Sequence, residues 1–521
     1  MIIITPVVRP ISRCPIGFLY AVPAVWNGHR RVAVPREVPA VAPTSIPTDT
    51  APDSTVASSA ATASDALRMH THDDRLTGIV LDYVTERLSL PETPLDHPGD
   101  KASIEAALAG LITADGIDAE QVMATYVDKL STTVLSADSP RFFAFIPSAP
   151  SKAALLFDMV VSAASLQGIS WLEAAGAVAA ENQALRFIAD AAGLPDTAGG
   201  TFVSGGSAAN LSALVVARDE GRRRLVQTHG EQARGRRLRV AVSDQVHSSV
   251  KNTLHLLDID AFPVPVTDHR LTGESLRAAL AADADPETVV AVVATSGTTN
   301  AGIIDDLAGV AAVAAEHHLW FHVDGAYGGA GLLAPSIRPL YDGIELADSF
   351  VVDPHKWLFA PFDCAALIYR RPWLARAVHT QDASYLDAIH DAPDDWNPTD
   401  YAYHLTRRAR GLPLWFSLVV NGTDAYRDAI EASLTLTRQV ARDIAALPQL
   451  ELIQEPTLGV VLFRRIGWTA SDYEAWAKSL LADQVAFVTS TVWDGETVGR
   501  LVFLHPGTTR DMVAELLGRT A

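Results

Sequence analysis

Two cysteines in 521 residues, Cys14 and Cys364, are too few for a disulfide framework, and they lack metal-ligand spacing. No metal is expected, and a reducing cytoplasm is the expected compartment. Positive charge is short as well, with a formal net charge of −20. That balance opposes a nucleic-acid backbone. The one basic cluster, Arg218 to Arg239, is interrupted by Asp219, Glu220 and Glu231 and reads as a solvated helix and loop. No apolar run approaches the roughly 20 residues that span a bilayer, so no membrane insertion is expected. The Gly-Lys-Ser/Thr of a P-loop and the spaced glycines of a dinucleotide fingerprint are missing too. Residues 1–68 are rich in Pro, Ala, Thr and Ser, without helical or strand periodicity and without the early basic region of a secretory signal. They are expected to be a disordered extension, with Met69 as an alternative start.

The remaining length exceeds one ordinary core. Leu76, Ile79, Val80, Tyr83, Val84 and Leu88 recur at helical spacing, as do Val122, Met123, Tyr126, Val127, Leu130 and Val134, which predicts a helical region over 69–135. From 136 to 410 short apolar strands alternate with Ala-rich helices, the pattern of an α/β sheet covered on both faces. The strands are expected at Thr201–Val203, Leu238–Val242, Val289–Ala294, Leu319–Val323, Phe350–Val352 and Ala365–Tyr369. Residues 411–521 read as a smaller α+β domain. It opens with one long helical stretch to Leu450, and its strands are expected near Leu458–Phe463, Val485–Val488 and Arg500–Leu504.

Lysine is scarce: Lys101, Lys129, Lys152, Lys251, Lys356 and Lys478 are the only six. Lys356 alone follows a buried-looking strand, in Ser349-Phe-Val-Val-Asp-Pro-His-Lys-Trp. Desolvation there would favour the free amine that attacks an aldehyde, and the aldehyde implied is pyridoxal phosphate. Taken alone, His355-Lys356 reads more readily as a surface turn. Ser204-Gly-Gly-Ser-Ala-Ala-Asn turns from strand into helix, and Gly206 and Ser207 make either a phosphate cradle or an ordinary capped turn. Asp324 ends an apolar strand, where a carboxylate needs a cation such as a pyridinium nitrogen, although it also suits a cap. Ala326, two residues on, is small enough to lie beneath a flat ring. His247 follows another strand and is placed either to stack on that ring or to serve structure, and Thr299 follows a further strand with a hydroxyl to offer.

Together with Pro140-Arg-Phe-Phe-Ala-Phe-Ile-Pro-Ser, Phe362-Asp-Cys and Arg407-Arg-Ala-Arg-Gly-Leu-Pro-Leu-Trp-Phe, these segments resemble the group II pyridoxal-phosphate decarboxylases, typified by aromatic-L-amino-acid decarboxylase. The likeness runs from about Leu76 to the end. It implies an α/β large domain of PLP fold type I (aspartate-aminotransferase-like), with a mixed, mostly parallel sheet, a helical N-terminal region and a small α+β C-terminal domain. It implies decarboxylation of an aromatic or medium-sized L-amino acid to its amine in a homodimer with shared active sites. Lys356 would hold the cofactor as an imine, Asp324 would pair with the ring nitrogen and His247 would stack and orient substrate. Gly206, Ser207, Asp353 and His355 would hold or border the phosphate, with Thr299 and Ala326 near the ring. Phe145 and Ser148 would form one substrate wall, and Gln167 and Ile169 would face substrate from the partner subunit.

The chain departs from that family in two places. Asp353 stands where Asn is common, and a carboxylate beside a phosphate dianion is unfavourable. The loop that supplies a proton-donating tyrosine in aromatic decarboxylases corresponds to Asp382–Thr406. Counting back from Arg407-Arg408 puts Pro398 at the tyrosine's place, with Tyr401 and Tyr403 close by. Relatives without that tyrosine release an aldehyde, so oxidative deamination is the alternative. Aminotransfer, with Arg408 receiving the substrate carboxylate, is a more distant one.

Overall fold

The computed structural model describes residues 67–146, 149–390, 392 and 395–521. Ser148 and nearly all of the 1–68 extension lie outside the described residues. In the N-terminal region the helix Asp74–Ser89 starts where the Asp73 carboxylate accepts from the Arg75 and Leu76 amides. Two shorter helices follow, Lys101–Leu108 and Ala119–Thr125, the second running on into a π turn at Tyr126–Leu130.

Seven strands form the central sheet: β1 Gly199–Val203, β2 Arg239–Val242, β3 Asp260–Pro263, β4 Val289–Thr295, β5 Trp320–Asp324, β6 Ser349–Val352 and β7 Ala365–Tyr369. Their order is β1-β7-β6-β5-β4-β2-β3. All neighbours are parallel except β7, which runs antiparallel to both β1 and β6. Every residue of β4, β5, β6 and β7 is buried, which explains why they are mostly apolar and do not alternate, His322, Asp324 and Ser349 being the buried polar exceptions besides Thr295. Because β7 is reversed, β1, β2, β4, β5 and β6 all deliver their carboxyl ends to one edge of the sheet. Ligands of open α/β sheets bind at such an edge.

The C-terminal part differs from expectation in two ways. Its long helical stretch breaks at Gly422, whose φ of +76° separates Leu412–Asn421 from Thr423–Ala446. The smaller antiparallel sheet contains β8 Leu450–Leu452, β9 Val460–Arg465, β10 Thr489–Trp493 and β11 Glu496–Val502, in the order β10-β11-β9-β8. The expected strand at Val485–Val488 is not one. Val485, Ala486 and Val488 are apolar because they fill a core with Phe143, Tyr473 and Leu501, and the ladder starts only at Thr489. Asp494 and Gly495, both at positive φ, then close the β10–β11 hairpin in the two-residue turn that a right-handed strand twist favours.

Candidate active site

At the carboxyl edge of the large sheet lies a cavity of about 210 Å³. Gly206, Ser207, His247, Thr299, Asp324, Ala326, Asp353, His355 and Lys356 all line it. Five separate strand ends therefore converge, as a doubly covered sheet requires. The remaining expected positions lie elsewhere. Phe145 is exposed and Ile169 is buried, with its carbonyl accepting from Thr399, while Gln167 bonds Glu173 across the surface. None of the three lines the cavity within one chain. Arg408 is engaged with Asp158 at 2.7 Å and with Ser162, so its guanidinium is already neutralised.

The chemistry starts at Lys356. Its Nζ lies 2.9 Å from Asp353 Oδ2, and the carboxylate is only 2% exposed. The amine thus meets a buried partner, not the purely apolar wall that its sequence neighbours imply. Asp353 Oδ2 also accepts the Gly206 amide at 3.2 Å, while Oδ1, although buried, has no hydrogen-bond partner among the described residues. His355 Nε2 lies 3.6 Å from the same carboxylate, and its Nδ1 accepts the Cys364 amide at 3.0 Å. Burial lowers the His355 pKa, with Asp353 opposing that effect.

Opposed needs meet at the start of the helix Gly206–His229. Its N-cap residue, Gly205, offers no side-chain cap; Asp353 takes the Gly206 amide, and the next amides are left for an anion. A side chain at Gly206 would bring its Cβ to 3.1 Å from both Ala326 Cβ and Asp353 Oδ2, so glycine is required for the close approach. Asp324, the last residue of β5, is held by two donors: Asn210 Nδ2 reaches Oδ2 at 2.9 Å and the Ala326 amide reaches Oδ1 at 3.1 Å. Those bonds fix the orientation of a buried anion that no lysine or arginine pairs with among the described residues.

Sequence reasoning missed Asn210, Ser249, Thr295 and Tyr327, which also line the cavity. Asn210 was within reach, since it stands four residues after Gly206 on the same helix face. It missed Arg500 too, whose signal was a guanidinium inside the apolar run Val498–Leu504. Arg500 is nearly buried on β11 and donates to the Phe145 carbonyl at 2.9 Å and the Thr299 carbonyl at 2.6 Å. Burial pushes its pKa down to about 10, and no carboxylate among the described residues pairs with it.

Comparison with known proteins places this geometry in a family. The profile described as "Pyridoxal-dependent decarboxylase conserved domain" matches residues 108–466. The chain belongs to the pyridoxal-dependent decarboxylases. It is 26% identical to aromatic-L-amino-acid decarboxylase of Bacillus atrophaeus, over 84% of this chain and 92% of that one. To the Cavia porcellus aromatic-L-amino-acid decarboxylase it is 30% identical, over 74% of this chain and 84% of the relative. The crystal structure of Oryza sativa TDC with PLP and tryptamine superposes with a TM-score of 0.78 at 26% identity, covering 86% of this chain and 99% of that chain. The protein is accordingly a pyridoxal-phosphate-dependent amino-acid decarboxylase of fold type I.

The cavity fits that cofactor. An uncapped helix start with Ser207 beside it suits a phosphate, the doubly held Asp324 suits a pyridinium, and Lys356 supplies an amine. At the end of β4 the buried Thr295 Oγ1, which lines the cavity, has no hydrogen-bond partner among the described residues and is left available to a bound molecule. Asp353 alone conflicts with a phosphate, because its carboxylate already holds the Gly206 amide.

Proposed function

We propose that Lys356 tethers pyridoxal phosphate through its Nζ, with Gly206 and Ser207 at the phosphate, Asp324 on the ring nitrogen, and His247, Ala326 and Thr299 around the ring. The observation that carries this is the convergence of Lys356 and the pinned Asp324 on one cavity. When bound, the cofactor supplies an electron sink for the pair left behind as the bond from Cα to the carboxylate breaks. Asp324 keeps that sink positively charged. When not bonded to the cofactor, Lys356 would be held by Asp353, 2.9 Å away.

For substrate we propose an L-amino acid of aromatic or medium size. Phe142, Phe145 and Phe487 form a cluster with ring centroids 5.0 to 6.3 Å apart, and Arg500 grips it through the Phe145 carbonyl. We infer a homodimer in which Gln167 and Ile169 of one chain complete the other's site. Leu156 and Val160 on one helix and Val419 and Val420 on the helix packed against it leave apolar surface exposed, as such an interface needs. Sedimentation velocity at twice the chain mass checks it. A cytoplasmic location agrees with a free, buried Cys364 and with the lack, among the described residues, of any helix long and apolar enough to cross a membrane.

The outcome, amine or aldehyde, depends on the group that returns a proton to Cα. Pro398 and Tyr401 are buried in a short turn, Tyr401 stacked on Trp396 at 4.1 Å, so neither is free to act. Tyr385, on the turn Ser384–Ile389, is 73% exposed. We assign it the proton-donor role, with the loop closing over the substrate. The test follows CO2, amine, aldehyde and peroxide from common L-amino acids together. Wild type should give amine, Lys356→Ala should lose both the imine absorbance and turnover, and Tyr385→Phe should divert product to aldehyde. Aldehyde as the sole wild-type product would favour oxidative deamination, and amino-group transfer without CO2 would favour an aminotransferase.

A further inference from the structure

A buried series of side chains runs from β5 and β6 to His247, and the chemistry of its ends fixes the direction of every bond along it. The Trp320 indole can only donate, and its Nε1 meets Ser349 Oγ at 2.8 Å. Ser349 Oγ lies 2.8 Å from His322 Nδ1, and His322 Nε2 lies 2.9 Å from Asn210 Oδ1. Asn210 Nδ2 then branches, to Asp324 Oδ2 at 2.9 Å and to Ser249 Oγ at 3.0 Å. Ser249 Oγ finally lies 2.8 Å from His247 Nδ1.

The Asp324 carboxylate can only accept, so the Asn210 amide must present its NH2 there and its oxygen to His322. His322 therefore donates from Nε2. It is fully buried, and burial holds its pKa below the ordinary value against the opposing pull of Asp324, so the ring keeps its one proton on Nε2 and its Nδ1 accepts a hydrogen bond from the Ser349 hydroxyl. Ser249, having accepted from Asn210, directs its own proton to His247 Nδ1. That same atom also accepts the Ser249 backbone amide at 3.2 Å, which a protonated Nδ1 could not do. The ring proton of His247 is left on Nε2.

We propose that Asn210 is the positioning residue of this site, its single amide setting the rotamer of Asp324 and, through the Ser249 hydroxyl, the orientation of the His247 ring, whose tautomer the Ser249 backbone amide also holds. His247 then meets the substrate as an N–H donor and not as a base. The consequence for catalysis rests on the decarboxylase reading, whereas the tautomers do not.

Histidine-labelled full-length protein, examined by 15N NMR before and after loading with pyridoxal phosphate, tests this directly, with signals assigned from His247→Gln and His322→Gln. The expected wild-type pattern is an unprotonated Nδ1 and a protonated Nε2 on both rings. Ser249→Ala removes the hydroxyl link to His247 but keeps the backbone amide on Nδ1, so the His247 tautomer should hold while its 15N signals shift with the lost hydroxyl bond. Its KM for the amino acid should rise about tenfold with kcat within about twofold, as expected for one lost alignment. Asn210→Ala cuts both branches and should also weaken pyridoxal phosphate binding about tenfold or more. A wild-type His247 protonated on Nδ1, or a Ser249→Ala protein with unchanged signals and KM, overturns the proposal. If a variant fails to fold by circular dichroism, the wild-type tautomers still decide. A wild type that shows these tautomers but never develops imine absorbance would refute the decarboxylase site and leave the relay standing.

Discussion

Position 353 puts a carboxylate where an anion must be received. Asp353 is useful to the unloaded chain, since it neutralises Lys356 at 2.9 Å and caps Gly206, but a phosphate arriving at the same amides would meet its charge. Asp353→Asn removes that repulsion and adds an N–H that can be donated to phosphate. The expected outcome is pyridoxal phosphate affinity higher by about tenfold, roughly 1.4 kcal/mol, in a fluorescence titration. Stability of the unloaded chain should fall by about 1–3 kcal/mol, because a buried pair loses one partner. Unchanged affinity would mean that the phosphate sits clear of position 353. Lys356 and Asp324 were legible in the sequence because charged groups at the ends of apolar strands are anomalous there. Asn210 was not, since one asparagine early in a helix looks like any other until its partners on β5 and after β2 are known. Tyr385, which we propose as proton donor, was not singled out because counting from Arg407 assumes a loop length that the sequence does not fix.

Elements carried their signal in proportion to how completely they are buried. The strands β4 to β7, buried throughout, were expected within a residue or two. β3 was not foreseen, because Asp260–Pro263 is a short edge strand, largely exposed and closed by a proline, and has no apolar run to betray it. β10 was misplaced for the opposite reason: Val485–Val488 is apolar without being in a ladder. The helix Gly206–His229 shows how an element is fitted to its sheet. A Cβ added at Gly221 would lie 2.4 Å from Val290 Cβ on β4, a contact that no side-chain rotation relieves. Alanine in a helix interior ordinarily stabilises by up to about 1 kcal/mol over glycine. Here overpacking of about 1–3 kcal/mol should win. Gly221→Ala should therefore lower the midpoint of urea unfolding, and a raised midpoint would show that the helix can move off the sheet.

Across the whole molecule, the C-terminal hairpin is tied to the active-site edge by Arg500 and, at its turn, by an imidazole. His269 Nδ1 lies 2.5 Å from Asp244, three residues before His247, and Nε2 lies 2.8 Å from Asp494 in the β10–β11 turn. Trp493 packs against the ring at 4.4 Å, and Gln245, which lines the cavity, reaches Nδ1 at 3.4 Å. Burial alone would lower the His269 pKa, but the two carboxylates outweigh it and hold the folded value above the ordinary 6.5. A pKa raised by folding means that the protonated ring stabilises the fold. The contribution is complete below about pH 6.5 and disappears as pH rises through the folded value. Both carboxylates are substantially exposed, so water and salt reduce the contribution to about 1 kcal/mol or less. His269→Gln keeps the packing and cannot gain the charge. Melting curves of the two proteins should differ by roughly 1–2 °C at pH 6 and converge by pH 9, and 1 M salt should narrow the low-pH gap. Comparing variant with wild type at each pH cancels every other titrating group. A gap that stayed constant from pH 6 to 9 would show that His269 holds the hairpin by packing against Trp493 and not by its charge.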